Sequence, residues 1–318
     1  MEIIVLDRNT VTLEDVDFSA LESLGNVKYY NVLPKEELPE ILKDTEYVIC
    51  NKAVFDEKLI NECKKLKYIG LFATGFNNVD LKAANERNIT VCNAPDYSTE
   101  SVVQHAFALL LNLAGSVGKY DKFTCEGGWI KSPTFSFFQY PITEIAGKTI
   151  GVVGFGAIGK RVCQIAKCFG MNVLVHTRTV PEVKEYEFVS KEELFKRADF
   201  ISLNCPLNEG TKNLVNKDTI SLMKETAYII NTARGGVVNQ EDLAEALNSE
   251  RIAGAGLDVL EVEPMLESNP LYKAKNCIIT PHTAWASKDA RQRVADLAGT
   301  NLKAYIEGNP VNTVNDRV

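Results

Sequence analysis

Three side chains in this sequence have types and settings that suit acid–base chemistry on a small acid: Arg234, Glu263 and His282. The chain holds only three histidines, at 105, 176 and 282, so imidazole chemistry has few bearers. His282 stands in Thr280-Pro281-His282-Thr283-Ala284-Trp285-Ala286-Ser287, directly after the apolar run Cys277-Ile278-Ile279. An imidazole in a loop beyond a strand can give a proton to a carbonyl oxygen while a hydride reaches the carbon, and can take it back in the reverse direction. Arg234 lies in Asn231-Thr232-Ala233-Arg234-Gly235-Gly236, also just after an apolar strand. A fixed guanidinium pairs bidentately with a carboxylate and polarises the carbonyl beside it. Glu263, within Gly256-Leu257-Asp258-Val259-Leu260-Glu261-Val262-Glu263-Pro264, can accept from the second ring nitrogen of a histidine. A carboxylate in that position favours the imidazolium. Ordinary salt bridges and helix caps are the competing reading, and spacing alone does not separate the two.

A hydride needs a carrier, and one stretch announces it. Ile150 to Val153 reads as a buried strand, followed by Gly154-Phe155-Gly156-Ala157-Ile158-Gly159 and then a helical pattern. This is G-x-G-x-x-G in strand–turn–helix context. The first glycine permits the tight turn, the second lets a pyrophosphate reach the backbone, and the third lets the helix pack closely on the strand. The free N–H groups at the helix start would meet the phosphates. A plain strand–helix turn is the alternative, and the flanking strand and helix argue against it.

In folds of this kind an acid about 20 residues past the first glycine takes the ribose hydroxyls. Here the second strand ends His176-Thr177-Arg178-Thr179, and the nearest acid downstream is Glu182, beyond Pro181. Arg178 can fork onto a 2′-phosphate, with Thr177 or Thr179 adding a hydroxyl. The reading leans to NADP(H). If Arg178 only stacks beside adenine or points to water, NAD(H) is the cofactor. His176 reads as a crevice residue rather than a catalyst.

The elements that must position these groups alternate between strand and helix along the chain. Expected strands are Ile3–Leu6, Val27–Tyr30, Glu46–Cys50, Leu66–Leu71 and Ile89–Cys92, then Val173–His176, Phe200–Asn204, Ala227–Asn231, Ala255–Asp258 and Cys277–Thr280. Helices are expected over Leu13–Leu24, Thr99–Leu113, Lys160–Phe169, Lys191–Arg197, Thr219–Met223 and Gln240–Ser249, with a last one after Ser287. Such alternation implies α/β architecture with mostly parallel sheets, and 318 residues suffice for about two domains. The segment Ala73-Thr74-Gly75-Phe76-Asn77-Asn78-Val79-Asp80 follows the fourth strand, where parallel sheets place their binding loops; a simple turn is the alternative. The apolar stretch from Thr99 must be covered by other helices or by a second subunit. Phe135, Phe137, Phe138 and Tyr140 crowd a Ser- and Pro-containing loop and read mainly as packing residues.

Composition narrows the partners. Lys+Arg number 35 against 42 Asp+Glu, a formal net charge of −7, which disfavours a general nucleic-acid or membrane surface. No apolar run reaches membrane-spanning length, and the first residues read as a strand rather than a leader. Eight cysteines are scattered without a C-x-x-C pair, which favours reduced thiols in a cytoplasmic protein; no metal site is expected.

On Gly154-Phe155-Gly156-Ala157-Ile158-Gly159, Asn231-Thr232-Ala233-Arg234-Gly235, Gly256-Leu257-Asp258-Val259 with Glu263-Pro264, and Pro281-His282, the chain resembles the D-isomer-specific 2-hydroxyacid dehydrogenases over essentially its whole length. The resemblance implies two Rossmann-like domains. A doubly wound nucleotide-binding domain (99–286) would be inserted in a flavodoxin-like substrate domain (1–98 and 287–318). It implies hydride transfer from NAD(P)H to a 2-keto acid, with Arg234 on the carboxylate, His282 as acid/base and Glu263 as its partner. It further places Ala157 and Ile158 at the pyrophosphate, and Cys205, Pro206 and Thr211 on the adenine and ribose side. Thr232, Ala233 and Asp258 fall near the nicotinamide, and Thr74 and Gly75 in a loop whose amides hold substrate oxygens. The long helix at 99–113 and the nearby arm resemble the family's homodimer contact.

Asn77-Asn78-Val79-Asp80 and His282 to Ser287, with Ala290-Arg291-Gln292-Arg293, look most like the glycerate dehydrogenases, or hydroxypyruvate reductases. That points to hydroxypyruvate, then glyoxylate, with Trp285 over the substrate and Ser287 on its C3 hydroxyl. Thr177 departs from the aspartate that usually stands there, which puts NAD preference in doubt. The rivals are a D-lactate or broad D-2-hydroxyacid dehydrogenase and, from another class, a non-catalytic dinucleotide-sensing regulator resembling a corepressor.

Overall fold

The computed structural model describes residues 1–317, and the chain divides into two compact units, Met1–Ser98 with Trp285–Val318, and Thr99–Ala284. In the first, strands β1 (Glu2–Val5), β2 (Asn26–Tyr29), β3 (Tyr47–Cys50), β4 (Tyr68–Leu71) and β5 (Thr90–Cys92) form one sheet in the order β2-β1-β3-β4-β5. Every pairing is parallel. This is the flavodoxin-like order, with the reversal between β1 and β3. Short helices α1 (Ser19–Glu22), α2 (Leu38–Leu42), α3 (Glu57–Glu62) and α4 (Leu81–Glu86) connect the strands. Asp56 and Asp80 start α3 and α4 by accepting the amides of Leu59 and Ala83, a cap worth about 1 kcal/mol each.

The expected helix over Leu13–Leu24 shrinks to the single turn of α1. Local side-chain bonds win over the helical ladder in this stretch. Thr12 Oγ1 accepts from the amides of Asp15 and Val16, Asp15 accepts from Leu13 N, and Asp17 takes the amide of Ser19. Glu14 sits at φ 62°, a left-handed backbone that no helix contains.

The second unit opens with α5 (Thr99–Gly115) and α6 (Val117–Cys125). Ser116 between them is left-handed at φ 52°, which ends the first helix and redirects the chain. The sequence reading had no helix at α6. Then come β6 (Thr149–Val153), α7 (Ala157–Cys168), β7 (Asn172–His176), β8 (Glu187–Phe188), α8 (Lys191–Arg197), β9 (Phe200–Leu203), α9 (Lys217–Leu222), β10 (Tyr228–Asn231), α10 (Gln240–Asn248), β11 (Gly254–Leu257) and β12 (Cys277–Ile279). The sheet order is β12-β11-β10-β9-β6-β7-β8, all parallel, so the reversal falls between β6 and β9. That is the doubly wound nucleotide-binding arrangement. Helix α5 packs on β10, β11 and α7, so its apolar face is covered inside its own unit.

The last helix, α11 (Lys288–Ile306), belongs to the first unit, where it packs on α1 and β4. Ser287 caps it through Ala290 N, and Arg291 anchors it by forking onto Asp15 at 2.6 and 2.8 Å. Among the described residues no single helix is long and apolar enough to cross a membrane.

Candidate active site

In the second unit the loops that leave β10, β11 and β12 at their carboxyl ends carry Arg234, Glu263 and His282. Three adjacent parallel strands therefore deliver the three groups to one edge of the sheet. His282 and Glu263 meet directly: Nδ1 lies 2.6 Å from Glu263 Oε2, with the two side chains about one-third exposed, 33% and 36%. The other carboxylate oxygen of Glu263 accepts the amide of Leu260 at 2.8 Å. One oxygen is thus tied to backbone and the other to the ring, which fixes the imidazole by one nitrogen. Nε2 is the ring nitrogen left to exchange a proton.

His282 holds a left-handed backbone, φ 55°. Such a conformation costs a non-glycine residue about 1–3 kcal/mol and persists where its surroundings enforce it. Here the amide of His282 donates to Asp258 O, and the amides of Thr283 and Ala284 donate to the two oxygens of the Asp258 carboxylate. Asp258, 1% exposed, thereby organises the loop that carries His282. The family resemblance implies a place for it near the nicotinamide; the structure adds these inward bonds.

Arg234 is exposed at the end of an extended backbone, with Nη1 on Ala233 O at 2.7 Å. Its loop is held by Asn231, which the sequence reading gave no role. Asn231, buried at the end of β10, donates from Nδ2 to Arg234 O and accepts Ala233 N at Oδ1. A buried asparagine closing a strand was the available signal. Gly235 brings this loop against the next one: a Cβ there would lie 1.9 Å from Leu260 C. No side chain fits, and the approach sets the Arg234 loop against the segment that ends in Glu263.

The glycine loop leaves β6. Gly154 is left-handed at φ 96°, and a Cβ on it would strike Asn204 O at 2.6 Å. A Cβ on Gly159 would lie 2.0 Å from Gly154 O, so helix and strand touch there. Gly156, by contrast, faces open space. Helices α8, α9, α10 and α11 each begin with a side-chain cap, from Ser190, Asn216, Asn239 and Ser287. Helix α7 begins at Gly156 without one, beside the exposed Ala157 and the half-buried Ile158. Its first-turn donors and bare backbone suit a pyrophosphate.

Two further atoms point the same way. Asn204 Oδ1 and Thr232 Oγ1, at the carboxyl ends of β9 and β10, are buried without a hydrogen-bond partner. Buried polar atoms are normally paired, and these two, at the sheet edge where the glycine loop lies, are open to a ligand's polar groups. The residues present therefore fit a dinucleotide.

The remaining candidates lie around these loops or in the first unit. Thr177 is half-buried and Arg178 exposed just past β7, whose His176 carbonyl accepts Gly154 N at 2.8 Å. His176 Nδ1 bonds Val189 O, a packing role. Cys205 is buried, which pushes its thiol up to about 11, and Pro206 is exposed. Thr211 Oγ1 closes its own loop, donating to Pro206 O at 2.5 Å and accepting Asn208 N. In the first unit, Thr74 Oγ1 donates to Ala94 O, so that hydroxyl is engaged in the fold, and Gly75 follows half-buried. Trp285 stands edge-on to Tyr97 with ring centroids 6.2 Å apart.

The profile of the D-isomer-specific 2-hydroxyacid dehydrogenase NAD-binding domain matches residues 107–284. The chain is 40% identical to a hydroxypyruvate reductase of Blautia hydrogenotrophica, over 99% of this chain and 100% of the relative. The chain belongs to the D-isomer-specific 2-hydroxyacid dehydrogenase family. This dehydrogenase is also 40% identical to a glyoxylate reductase of Thermococcus litoralis, across 83% of this chain and 81% of that one. Among solved structures it superposes on the TT0316 protein of Thermus thermophilus with a TM-score of 0.90 at 36% identity, covering 99% and 100% of the two chains. An NADPH-dependent glyoxylate/hydroxypyruvate reductase of Sinorhizobium meliloti, solved with NADP and malonate, matches with a TM-score of 0.85 at 27% identity, covering 98% and 96%. The dehydrogenase is accordingly an NAD(P)-dependent oxidoreductase of 2-keto and D-2-hydroxy acids, built from a substrate-binding and a Rossmann-like NAD(P)-binding domain.

Proposed function

We propose that the enzyme reduces hydroxypyruvate to D-glycerate, and glyoxylate to glycolate as a second reaction, with NADPH preferred. The observation that carries the acid–base assignment is the 2.6 Å contact between His282 Nδ1 and Glu263. The bound nicotinamide supplies the hydride. Arg234 pairs with the substrate carboxylate and draws electron density from the adjacent carbonyl. His282 gives a proton from Nε2 to the keto oxygen, and Glu263 stabilises the imidazolium before that transfer. Hydride at carbon and proton at oxygen complete the hydroxy acid.

Thr74 and Gly75 offer backbone N–H groups to substrate oxygens, Trp285 packs over the substrate, and Ser287 meets its C3 hydroxyl. Residues 1–98 and 287–318 form the substrate domain in this reading, and 99–286 the nucleotide-binding domain. Gly154, Gly156, Ala157, Ile158 and Gly159 hold the pyrophosphate. Thr177 and Arg178 take the 2′-phosphate; no acid stands between Arg178 and Glu182 to repel it. Cys205, Pro206 and Thr211 line the adenine and ribose side, and Thr232, Ala233 and Asp258 the nicotinamide side. Hydroxypyruvate is favoured by the Blautia relative and by the segment His282 to Ser287.

The working unit in this proposal is a homodimer in the cytoplasm, without nucleic-acid or membrane partners. The long helix at 99–113 and the arm after α6, where Trp129, Ile130, Phe135, Phe138 and Ile142 are exposed apolar residues, supply the contact in this reading. Eight unpaired cysteines suit a reducing compartment.

A steady-state matrix of NADH and NADPH against hydroxypyruvate, glyoxylate and pyruvate tests the reading. The highest kcat/KM is expected for NADPH with hydroxypyruvate. A maximum with pyruvate would identify a D-lactate dehydrogenase instead, and a maximum with NADH would reject the role of Arg178.

A further inference from the structure

We propose that His105, on helix α5, is a positioning residue for His282, acting through Thr280 and Asp258. His105 Nε2 lies 2.8 Å from Thr280 Oγ1 and 3.4 Å from Asp258 Oδ1. Thr280 Oγ1 in turn donates to Asp258 Oδ1 at 2.6 Å. A hydroxyl has one hydrogen, and Thr280 gives it to the carboxylate. Toward His105 the hydroxyl can therefore only accept, so Nε2 of His105 carries a proton and donates it. The chain of bonds runs in one sense, from His105 to Thr280 to Asp258.

Asp258 is where this chain meets the catalytic loop. Its Oδ1 also accepts Thr283 N and its Oδ2 accepts Ala284 N, at 2.9 and 2.8 Å, on the C-terminal side of His282. Its backbone oxygen accepts the amide of His282 itself. The left-handed backbone at His282 is thus held from both sides by one buried residue. Thr280 N is fixed on Leu257 O, so its hydroxyl has a defined place, and His105 closes that place from a helix packed on β10 and β11. Ser101, one turn earlier on α5, donates to Ala284 O at 2.7 Å and ties the far end of the same loop. Helix α5 therefore grips the loop at Thr280 and at Ala284, two residues either side of His282. Loss of the His105 donor leaves the Thr280 hydroxyl free to turn and loosens the carboxylate that holds residues 282–284.

The kinetic half of this inference rests on the proposed role of His282; the loop-holding half does not. His105→Leu and His105→Gln are to be compared with the parent enzyme, the glutamine retaining an amide donor near the Nε2 position. In His105→Leu, kcat with hydroxypyruvate and NADPH is expected to fall about tenfold or more, as a reacting group shifted by a fraction of an ångström would give. KM for hydroxypyruvate and the Kd for NADPH should stay within about twofold. In the ligand-free protein, hydrogen exchange at the amides of Thr283 and Ala284 should accelerate about tenfold. His105→Gln should restore most of both effects. If His105→Leu does not fold, Thr280→Val against Thr280→Ser interrogates the same bond, and the double variant His105→Leu/Thr280→Val should be no worse than the poorer single.

Parental kcat with parental exchange at residues 283–284 would overturn the proposal. So would a lowered Tm with kcat per folded molecule unchanged, because that is a structural role alone. Faster exchange in His105→Leu, combined with full turnover by His282→Ala, would instead reject the catalytic assignment of His282 and leave the loop-holding role standing.

Discussion

Replacing Glu263 by glutamine changes one atom and removes one charge, which makes it a clean probe of the dyad. In the parent protein both carboxylate oxygens accept, Oε1 from Leu260 N at 2.8 Å and Oε2 toward His282 Nδ1 at 2.6 Å. Glutamine has only one oxygen, so one of these donors must lose its acceptor. If the oxygen serves Leu260, the amide nitrogen faces Nδ1 and forces the ring proton to Nε2, the tautomer that opposes an imidazolium. If the oxygen serves His282, the ring keeps its orientation but loses the charge, and Leu260 N faces a donor. A hydrogen bond to a charged group is worth about 1.5–3 kcal/mol, and the one-third exposure of both side chains trims this to about 1–2 kcal/mol. At 1.4 kcal/mol per decade the expected loss in kcat/KM for hydroxypyruvate is about 5- to 30-fold. Because the effect falls on proton transfer, the primary isotope effect with 4-deuterated NADPH should rise or hold, while NADPH affinity stays put. Glu263→Asp keeps the charge but cannot span both donors, so it should fall between the two. A Glu263→Gln enzyme within twofold of the parent would refute the reasoning that the carboxylate stabilises the protonated ring.

Three further outcomes follow from packing and burial. Gly235→Ala puts a Cβ 1.9 Å from Leu260 C, which no rotamer relieves; thermal unfolding should show a destabilisation of about 2 kcal/mol or more, with kcat reduced because the Arg234 and Glu263 loops are forced apart. Burial pushes the thiols of Cys63, Cys92 and Cys205 up to about 11 and those of Cys163 and Cys277 to about 12. Unfolded thiols ionise near about 8.5. The folded state thus keeps protons that the unfolded state releases, so the contribution of these thiols to stability is constant below about pH 8.5 and falls as pH rises toward 11–12. Denaturant midpoints across pH 7–11 should show that decline; a flat profile would contradict it. In the native protein at neutral pH, iodoacetamide should label the exposed Cys125 and Cys168 first.

Much of this arrangement was legible in the sequence because it depends on local rules. Ile150–Val153 with the three glycines reads as strand, turn and helix because each residue's demand is met by its neighbours. The loops bearing Arg234 and His282 were legible as the residues following apolar strands. Other features depend on partners far along the chain. The Leu13–Leu24 stretch reads as a helix, yet Arg291, 276 residues away from Asp15, helps fix its first part as a turn. Strand β8 is two residues long and exists by pairing with β7. Helix α6 buries none of its residues, so no periodic stripe marks it. At the site, the roles of Asn231 and Thr280 come from which atoms they meet, and spacing carries no record of that. Asp258 shows the same limit: its inward bonds to residues 283 and 284 are invisible until the loop is folded.

The central claim is that His282 supplies the proton while hydride reaches a 2-keto carbon. Single-turnover reduction of hydroxypyruvate by His282→Ala, with NADPH binding checked by fluorescence, tests it most directly. A fall in the rate of about 10²–10⁴-fold at unchanged NADPH affinity is the result expected of a removed general acid. Turnover at the parental rate in that variant would contradict the claim.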